Sequence, residues 1–339
     1  MDRLLETTAH DILATDDPWP ALIEAGLTGV GIPEEAGGSG GTFAEAAMLL
    51  RIAAHHAASV PLAETILAGR TLAGAGLPVP EGVLTVASGE LEVVQGGGGP
   101  RLTGTLARVP WARSAHRLVV LTGGMVAIID PVHAEITEGA NVAGEPRDDV
   151  RLSAAPCEAA TDRGAVAHSG AVAGVVTEGE AAEGADDLMM RGALARAVQL
   201  TAAMERALDL TVDYAGRREQ FGRPIGRFQA VQQRLAELAG EVAVADVAVR
   251  AAVRAPDDLV AVAAAKANAS RAAGRVAAIA HQVHGAMGVT QEYPLHRRTR
   301  RLWAWREEYG SESYWASVLG DMGDDPWFLL TGTTTVTTE

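Results

Sequence analysis

Two stretches carry residues whose types and spacing could do chemistry. The first is RREQFGRPIGRFQAVQQRLAEL, from residue 217 onward. Gly222, Pro224 and Gly226 open a turn there, and Arg218, Gln220, Phe221 and Gln229 share one side of it. A guanidinium fork matches a phosphate or pyrophosphate. A Gln amide beside an aromatic face suits an adenine or ribose. The same residues also read as a helix–turn–helix corner with Phe221 and Phe228 as buried plugs. The second stretch, REEYGSES at residues 306–313, crowds Glu307, Glu308 and Glu312 into a small turn. A carboxylate poised there would be a proton acceptor, provided it is aimed at a substrate.

Other motifs carry less. His281 and His284 fall on one helical face in HQVHG, with no carboxylate or cysteine at ligand spacing, so they read as structural helix-end histidines and no metal is expected. Cys157 is the lone cysteine, which excludes an internal disulfide and a cysteine zinc site. PEEAGGSGG at 33–41 lacks a preceding strand and the GxGxxG spacing, and reads as a plain loop.

These groups must be positioned by a chain of 339 residues, long enough for two or three domains. Residues 1–80 show apolar spacing of three and four, which predicts a helical domain. Residues 81–178 contain short Val/Ile/Leu/Thr runs (VLTVASG, LEVVQ, PRLTGTLARV, HRLVVLTGG, MVAIIDP) cut by Gly and Pro, which predict a small antiparallel β-domain. TEGEAAEGADD then reads as a polar connection, with Asp186 or Asp187 capping the next helix. Residues 179–330 read as a helical bundle. Phe228, Val231, Leu235, Leu238, Val242, Ala245, Val249 and Val253 form one stripe, and a further helix runs from Asp257 to His284. The predicted class is α+β, mostly α: an N-terminal helical domain, a central small β-barrel or sheet, and a C-terminal four-helix bundle.

The net charge of −15 argues against nucleic acid or an anionic membrane as partner. Basic groups nevertheless cluster at Arg217, Arg218, Arg223 and Arg227, and again over residues 296–301. Such patches suggest small anionic ligands or a partner subunit; for the second, plain surface charge serves equally well. The N-terminal MDRLLETTAHDIL lacks the apolar stretch of a signal peptide, and no window approaches ~20 apolar residues, so a cytoplasmic protein is expected.

The first stretch, taken with HQVHGAMGVTQEYPLHRRTRR and LIEAGLTGVGIPEEAGGSGGTFAEAAMLL, resembles the acyl-CoA dehydrogenase family, as does the α–β–α order. The resemblance covers nearly the whole chain and is strongest at its ends. It implies an FAD-dependent α,β-desaturation of an acyl-CoA, with a carboxylate taking the α-proton. It implies that Arg218, Gln220, Phe221 and Gln229, with Gln282, Gly285 and Ala286 in place of a Gln-x-x-Gly-Gly element, touch the adenine and pyrophosphate side of an FAD seated mainly on a neighbouring subunit.

The chain departs from the family where the chemistry occurs. The position of the usual base, just before Gly310, is Tyr309, and a phenol is a poor base at neutral pH. The alternative base position falls near Gly192, with no acid beside it. Flavin-facing groups of the β-domain are replaced by Arg108 and Pro110, and proline has no N–H to donate. Trp111 there reads as core packing, although it and Arg113 could serve the flavin in another way. No catalytic residue is therefore assigned to this chain. The pattern resembles the base-lacking subunit of heterotetrameric (α2β2) bacterial steroid side-chain acyl-CoA dehydrogenases, whose partner chain supplies the carboxylate. Two alternatives stay open: a self-sufficient homomeric dehydrogenase using Glu308, and a structural or regulatory subunit without FAD contact.

Overall fold

A computed structural model describes residues 3–96, 99–157, 159–162 and 181–321. Helices α1 (Arg3–Leu13), α2 (Trp19–Glu24), α3 (Phe43–His56) and α4 (Leu62–Gly74) come first. Thr42 starts α3 with a capping box: its hydroxyl accepts from the Glu45 N–H while the Glu45 carboxylate accepts from the Thr42 N–H. The 33–41 segment is a loop between helices, held by a bridge between Ile32 and Gly40.

Eight strands follow: β1 (Leu84–Ser88), β2 (Glu92–Gly96), β3 (Gly99–Pro110), β4 (Arg117–Thr122), β5 (Met125–Ile129), β6 (Ala134–Thr137), β7 (Arg147–Pro156) and β8 (Ala159–Asp162). They form two four-stranded sheets, β1-β4-β5-β8 and β2-β3-β7-β6. The expectation of a purely antiparallel β-domain needs one correction, because β1 pairs with β4 in parallel. A parallel neighbour requires a crossover, and the β2–β3 excursion into the other sheet provides it. Strand β4 explains why its sequence is continuously apolar. Val119 and Leu121 join the core shared with the helices, while Leu118 and Val120 join the core between the sheets. Both faces are buried, so no polar alternation remains.

Helix α5 (Ala181–Arg217) begins earlier than expected. Asp186 and Asp187 therefore lie inside it, and Asp187 pairs with Arg191 one turn on instead of capping. Alanine and glutamate dominate that segment and are good helix formers, so the helix runs through what reads as a linker. The boundary expected at 178/179 and the end expected at 330 lie outside the described residues. Helices α6 (Gln229–Arg254) and α7 (Leu259–His284) complete the long members, and Asp258, not Asp257, caps α7. The fourth position of the bundle is shared by two shorter helices, α8 (Leu295–Trp305) and α9 (Glu312–Asp321), packed on α5 and α7. Ala265, Ala269, Ala272, Ala273 and Ala277 on α7 are all buried, and their small size lets the helices approach closely. No described helix is long and apolar enough to cross a membrane.

Candidate functional site

The turn between α8 and α9 carries Glu308, Tyr309 and Gly310. Tyr309 adopts φ 52° and Gly310 φ 87°, and a side chain at 310 would run into the Trp315 indole. The indole N–H donates to the Tyr309 carbonyl at 2.8 Å. From α7, the buried Lys266 ammonium donates to the carbonyls of Arg306 (2.9 Å) and Gly310 (2.6 Å) and to the Ser270 hydroxyl (3.0 Å). The turn is thus fixed by its own backbone and by a cation from a neighbouring helix.

That fixing decides what the two candidate base positions hold. The Tyr309 ring lies directly on Gly192 of α5; a Cβ at residue 192 would sit 2.3 Å from it. Positions 192 and 309, distant in sequence, meet at one point, and neither carries a carboxylate. Burial pushes the Tyr309 phenol up to about 12, so it holds its proton at neutral pH.

Glu308 is adjacent and aimed elsewhere. Its carboxylate accepts from Arg147 Nε and Nη2 (both 2.9 Å), Arg196 Nε (2.8 Å) and Asn141 Nδ2 (3.1 Å). Burial alone would raise its pKa, but Arg196 and Arg147 overcome that and bring it down to about 2. A carboxylate so strongly committed is a poor proton acceptor. The network continues: Arg196 also donates to Glu64 on α4 (2.6 Å) and Gln199 (2.6 Å), and Arg301 and Trp305 of α8 donate to Glu145 (3.1 and 2.8 Å). Sequence reasoning missed this cluster. Its signal was Arg196 standing alone in the apolar run 193–198 of α5.

A cavity of about 320 Å³ lies between this turn and the β-sheets, lined among others by Val86, Ser88, Arg108, Pro110, Leu188 and Tyr309. Arg108 sits at a bulge in β3 with φ 55°, and its N–H donates to Asp149 (2.9 Å). Pro110 has no N–H, and its carbonyl accepts from the Thr85 hydroxyl. Arg113 does not face the cavity; it is tied to Asp148 and Glu138. Trp111 is half-buried, caps a short 3-10 turn with φ 55°, and lines a small void beside Arg196 and Trp305. On this wall Pro110 has no donor to offer a flavin ring, and the Arg108 N–H is already committed to Asp149.

The other predicted residues lie at the surface. Arg217 ends α5 and pairs with Asp213. Arg218 is exposed. Gln220 and Arg223 pair across a two-residue hairpin whose central residues, Phe221 (φ 53°) and Gly222 (φ 78°), both have positive φ, the requirement of a type I′ turn. Phe221 is 92% exposed, so it is not a buried plug. Phe228 is half-buried, with the Arg223 guanidinium 4.2 Å from its ring centre. Gln229 begins α6 and is exposed, as are Gln282, Gly285 and Ala286 around the end of α7. Gly285 adopts φ 57°, ψ −140°, a region open essentially to glycine alone. Arg218, Gln220, Phe221 and Gln229 cluster around one corner; no hydrogen bond joins them to the Gln282–Ala286 group. Exposed donors, an aromatic face and a bare glycine backbone fit a dinucleotide presented from outside the chain.

His281 is hydrogen-bonded to Thr299 (2.9 Å) and His284 to the Ala280 carbonyl (2.8 Å), with His284 stacked on Tyr214. No metal-ligating cluster occurs among the described residues. In the basic run 296–301, Arg298 and Arg301 are buried, which rules out plain surface charge for those two.

Residues 3–77 match the acyl-CoA dehydrogenase N-terminal domain, and residues 183–315 the C-terminal domain. The chain is 34% identical over 318 residues to acyl-CoA dehydrogenase FadE27 of Mycobacterium tuberculosis, covering 82% of this chain and 80% of that protein. The chain belongs to the acyl-CoA dehydrogenase family. Family members are FAD-dependent oxidoreductases acting on acyl-CoA thioesters. Among solved structures, a variant of the Tcur3481-Tcur3483 steroid ACAD superposes with a TM-score of 0.79 at 27% identity, covering 94% of this chain and 96% of that one. The ChsE4-ChsE5 complex from Mycobacterium tuberculosis gives 0.78 at 27%, covering 98% and 96%.

Proposed function

We propose that this chain is the base-lacking subunit of an FAD-dependent acyl-CoA dehydrogenase built from unlike chains, α2β2 in stoichiometry. The observation that carries this reading is the meeting of Tyr309 with Gly192. Both family base positions converge there, and the carboxylate next in sequence, Glu308, is held by two buried arginines. The partner chain supplies the carboxylate and the flavin pocket. This chain lends Arg218, Gln220, Phe221, Gln229, Gln282, Gly285 and Ala286 to the adenine and pyrophosphate side of the dinucleotide, and surface to the assembly. A pyrophosphate at a subunit interface needs a cation, and Arg218 is exposed to meet it. Likeness to the steroid ACAD and to the ChsE4-ChsE5 complex supports a two-chain assembly acting on a steroid side-chain CoA thioester.

The test is co-purification with candidate homologous chains and measurement of FAD per chain. The reading expects no flavin on this chain alone and one FAD for every pair of chains in the mixed complex. Arg218→Ala should weaken FAD retention by the complex by about tenfold or more, the worth of a charge-assisted hydrogen bond. Full flavin content in this chain alone, with turnover, would overturn the reading.

A further inference from the structure

Four arginines are buried among the described residues: Arg147, Arg196, Arg298 and Arg301. Three have carboxylate partners, Glu308, Glu64 and Glu145. Arg298 is the exception. It is 8% exposed and donates only to neutral carbonyls, those of Pro294 (3.3 Å) and His55 (3.1 Å). Its buried Nε has no partner. A buried guanidinium without a counter-ion is strongly unfavourable, because its lost hydration is not repaid by an opposite charge.

Its surroundings deepen the deficit. His10 of α1 and His55 and His56 of α3 pack as three mutually edge-on rings, with centroids 5.3–6.2 Å apart. His10 Nδ1 lies 3.0 Å from His56 Nε2. Arg206 of α5 adds a second cation whose field reaches His55, His56 and Arg298; it meets Asp209 of its own helix only at 4.0 Å, where that carboxylate is 60% exposed. Burial and the neighbouring Arg206 hold the His55 imidazole down to about 4, and burial with Arg206 pulls Arg298 down to about 10. The neighbouring cations thus oppose the charging of His55 and of Arg298. The carboxyl-terminal dipole of α3 answers part of this, but it amounts to only about half a charge.

We propose that His10, His55, His56, Arg206 and Arg298 form a binding site for a phosphate-type oxyanion. Two guanidiniums give the charge and imidazole N–H groups give further donors, and the three rings are half-buried, not sealed in the core. The site draws on α1, α3, α5 and α8, so the anion would tie the N-terminal helices to the bundle. It involves none of the residues assigned to FAD, and it stands or falls independently of the subunit reading.

The experiment is thermal unfolding of the full chain, alone or in its complex, in inorganic phosphate against chloride at matched ionic strength. A saturable rise of about 3–6 °C in Tm is expected at concentrations far above Kd. Arg298→Met should abolish the rise while raising Tm in chloride, because it removes the unpaired cation. His10→Gln, a milder change, should shift the phosphate midpoint upward by about tenfold, the effect of one lost hydrogen bond to an ion. ADP in parallel separates the sources. Saturation at lower concentration than phosphate marks a nucleotide-borne phosphoryl group, and equal saturation marks free phosphate. Identical Tm values in phosphate, ADP and chloride would overturn the proposal, as would an undiminished phosphate response in both variants.

Discussion

At the scale of single residues, Gly192 and Tyr309 act as one unit. The ring occupies the space that any side chain at 192 would need, and its atoms are the nearest ones to a Cβ placed there. Gly192→Ala should therefore overpack the contact and destabilise the chain by about 1–3 kcal/mol. In a Tyr309→Ala background the same substitution should be nearly neutral or stabilising, since alanine favours a helix interior over glycine by ~1 kcal/mol. Urea unfolding of the four members of this cycle measures the coupling. A coupling near zero would mean that the ring does not rest on the glycine, and the convergence of the two base positions would lose its structural support.

At the scale of elements, the turn between α8 and α9 depends on α7. Lys266 replaces the water that would otherwise satisfy the carbonyls of Arg306, which caps α8, and of Gly310 in the turn. Burial pulls its ammonium down from 10.5 to about 7. The unfolded chain keeps that proton up to about pH 10.5, whereas the folded chain releases it above about 7. Stability should consequently rise between pH 7 and 10, at up to ~1.4 kcal/mol per pH unit. Lys266→Met should remove this rise, which denaturant midpoints across the pH range would reveal. Tyr309, whose phenol is raised, works in the opposite sense only above about pH 10.

At the scale of the whole molecule, the Glu64–Arg196–Glu308–Arg147 chain of ion pairs joins α4, α5, the α8–α9 turn and β7. Buried pairs of this kind are screened little by salt, and losing one partner leaves the others unpaired. Glu308→Gln should cost about 3–5 kcal/mol at pH 7. The wild-type chain should also lose about 3 kcal/mol as pH falls from 4.5 towards 2, because the depressed Glu308 carboxyl becomes protonated over that window. The variant should lack that component. Equal acid profiles for the two proteins would show that Glu308 is not the anion at the centre of the network.

Much of this was legible from residue order alone. Apolar periodicity is a local property, so the helices, most strands and their order could be read directly, as could a turn at Gly222 and the missing carboxylate at Tyr309; that the turn is a hairpin with Phe221 exposed at its tip was not. The parallel β1–β4 pair was not readable, because strand direction depends on a crossover and not on either strand's pattern. The start of α5 was misplaced because polar helix formers look like a linker when no burial constrains them. Three things required the tertiary structure: the contact of Gly192 with Tyr309, the commitment of Glu308 to Arg147 and Arg196, and the isolation of Arg298 from any described carboxylate. Each is a relation between residues far apart in the chain. A charged side chain's role is set by what is buried beside it, and sequence spacing carries no record of that.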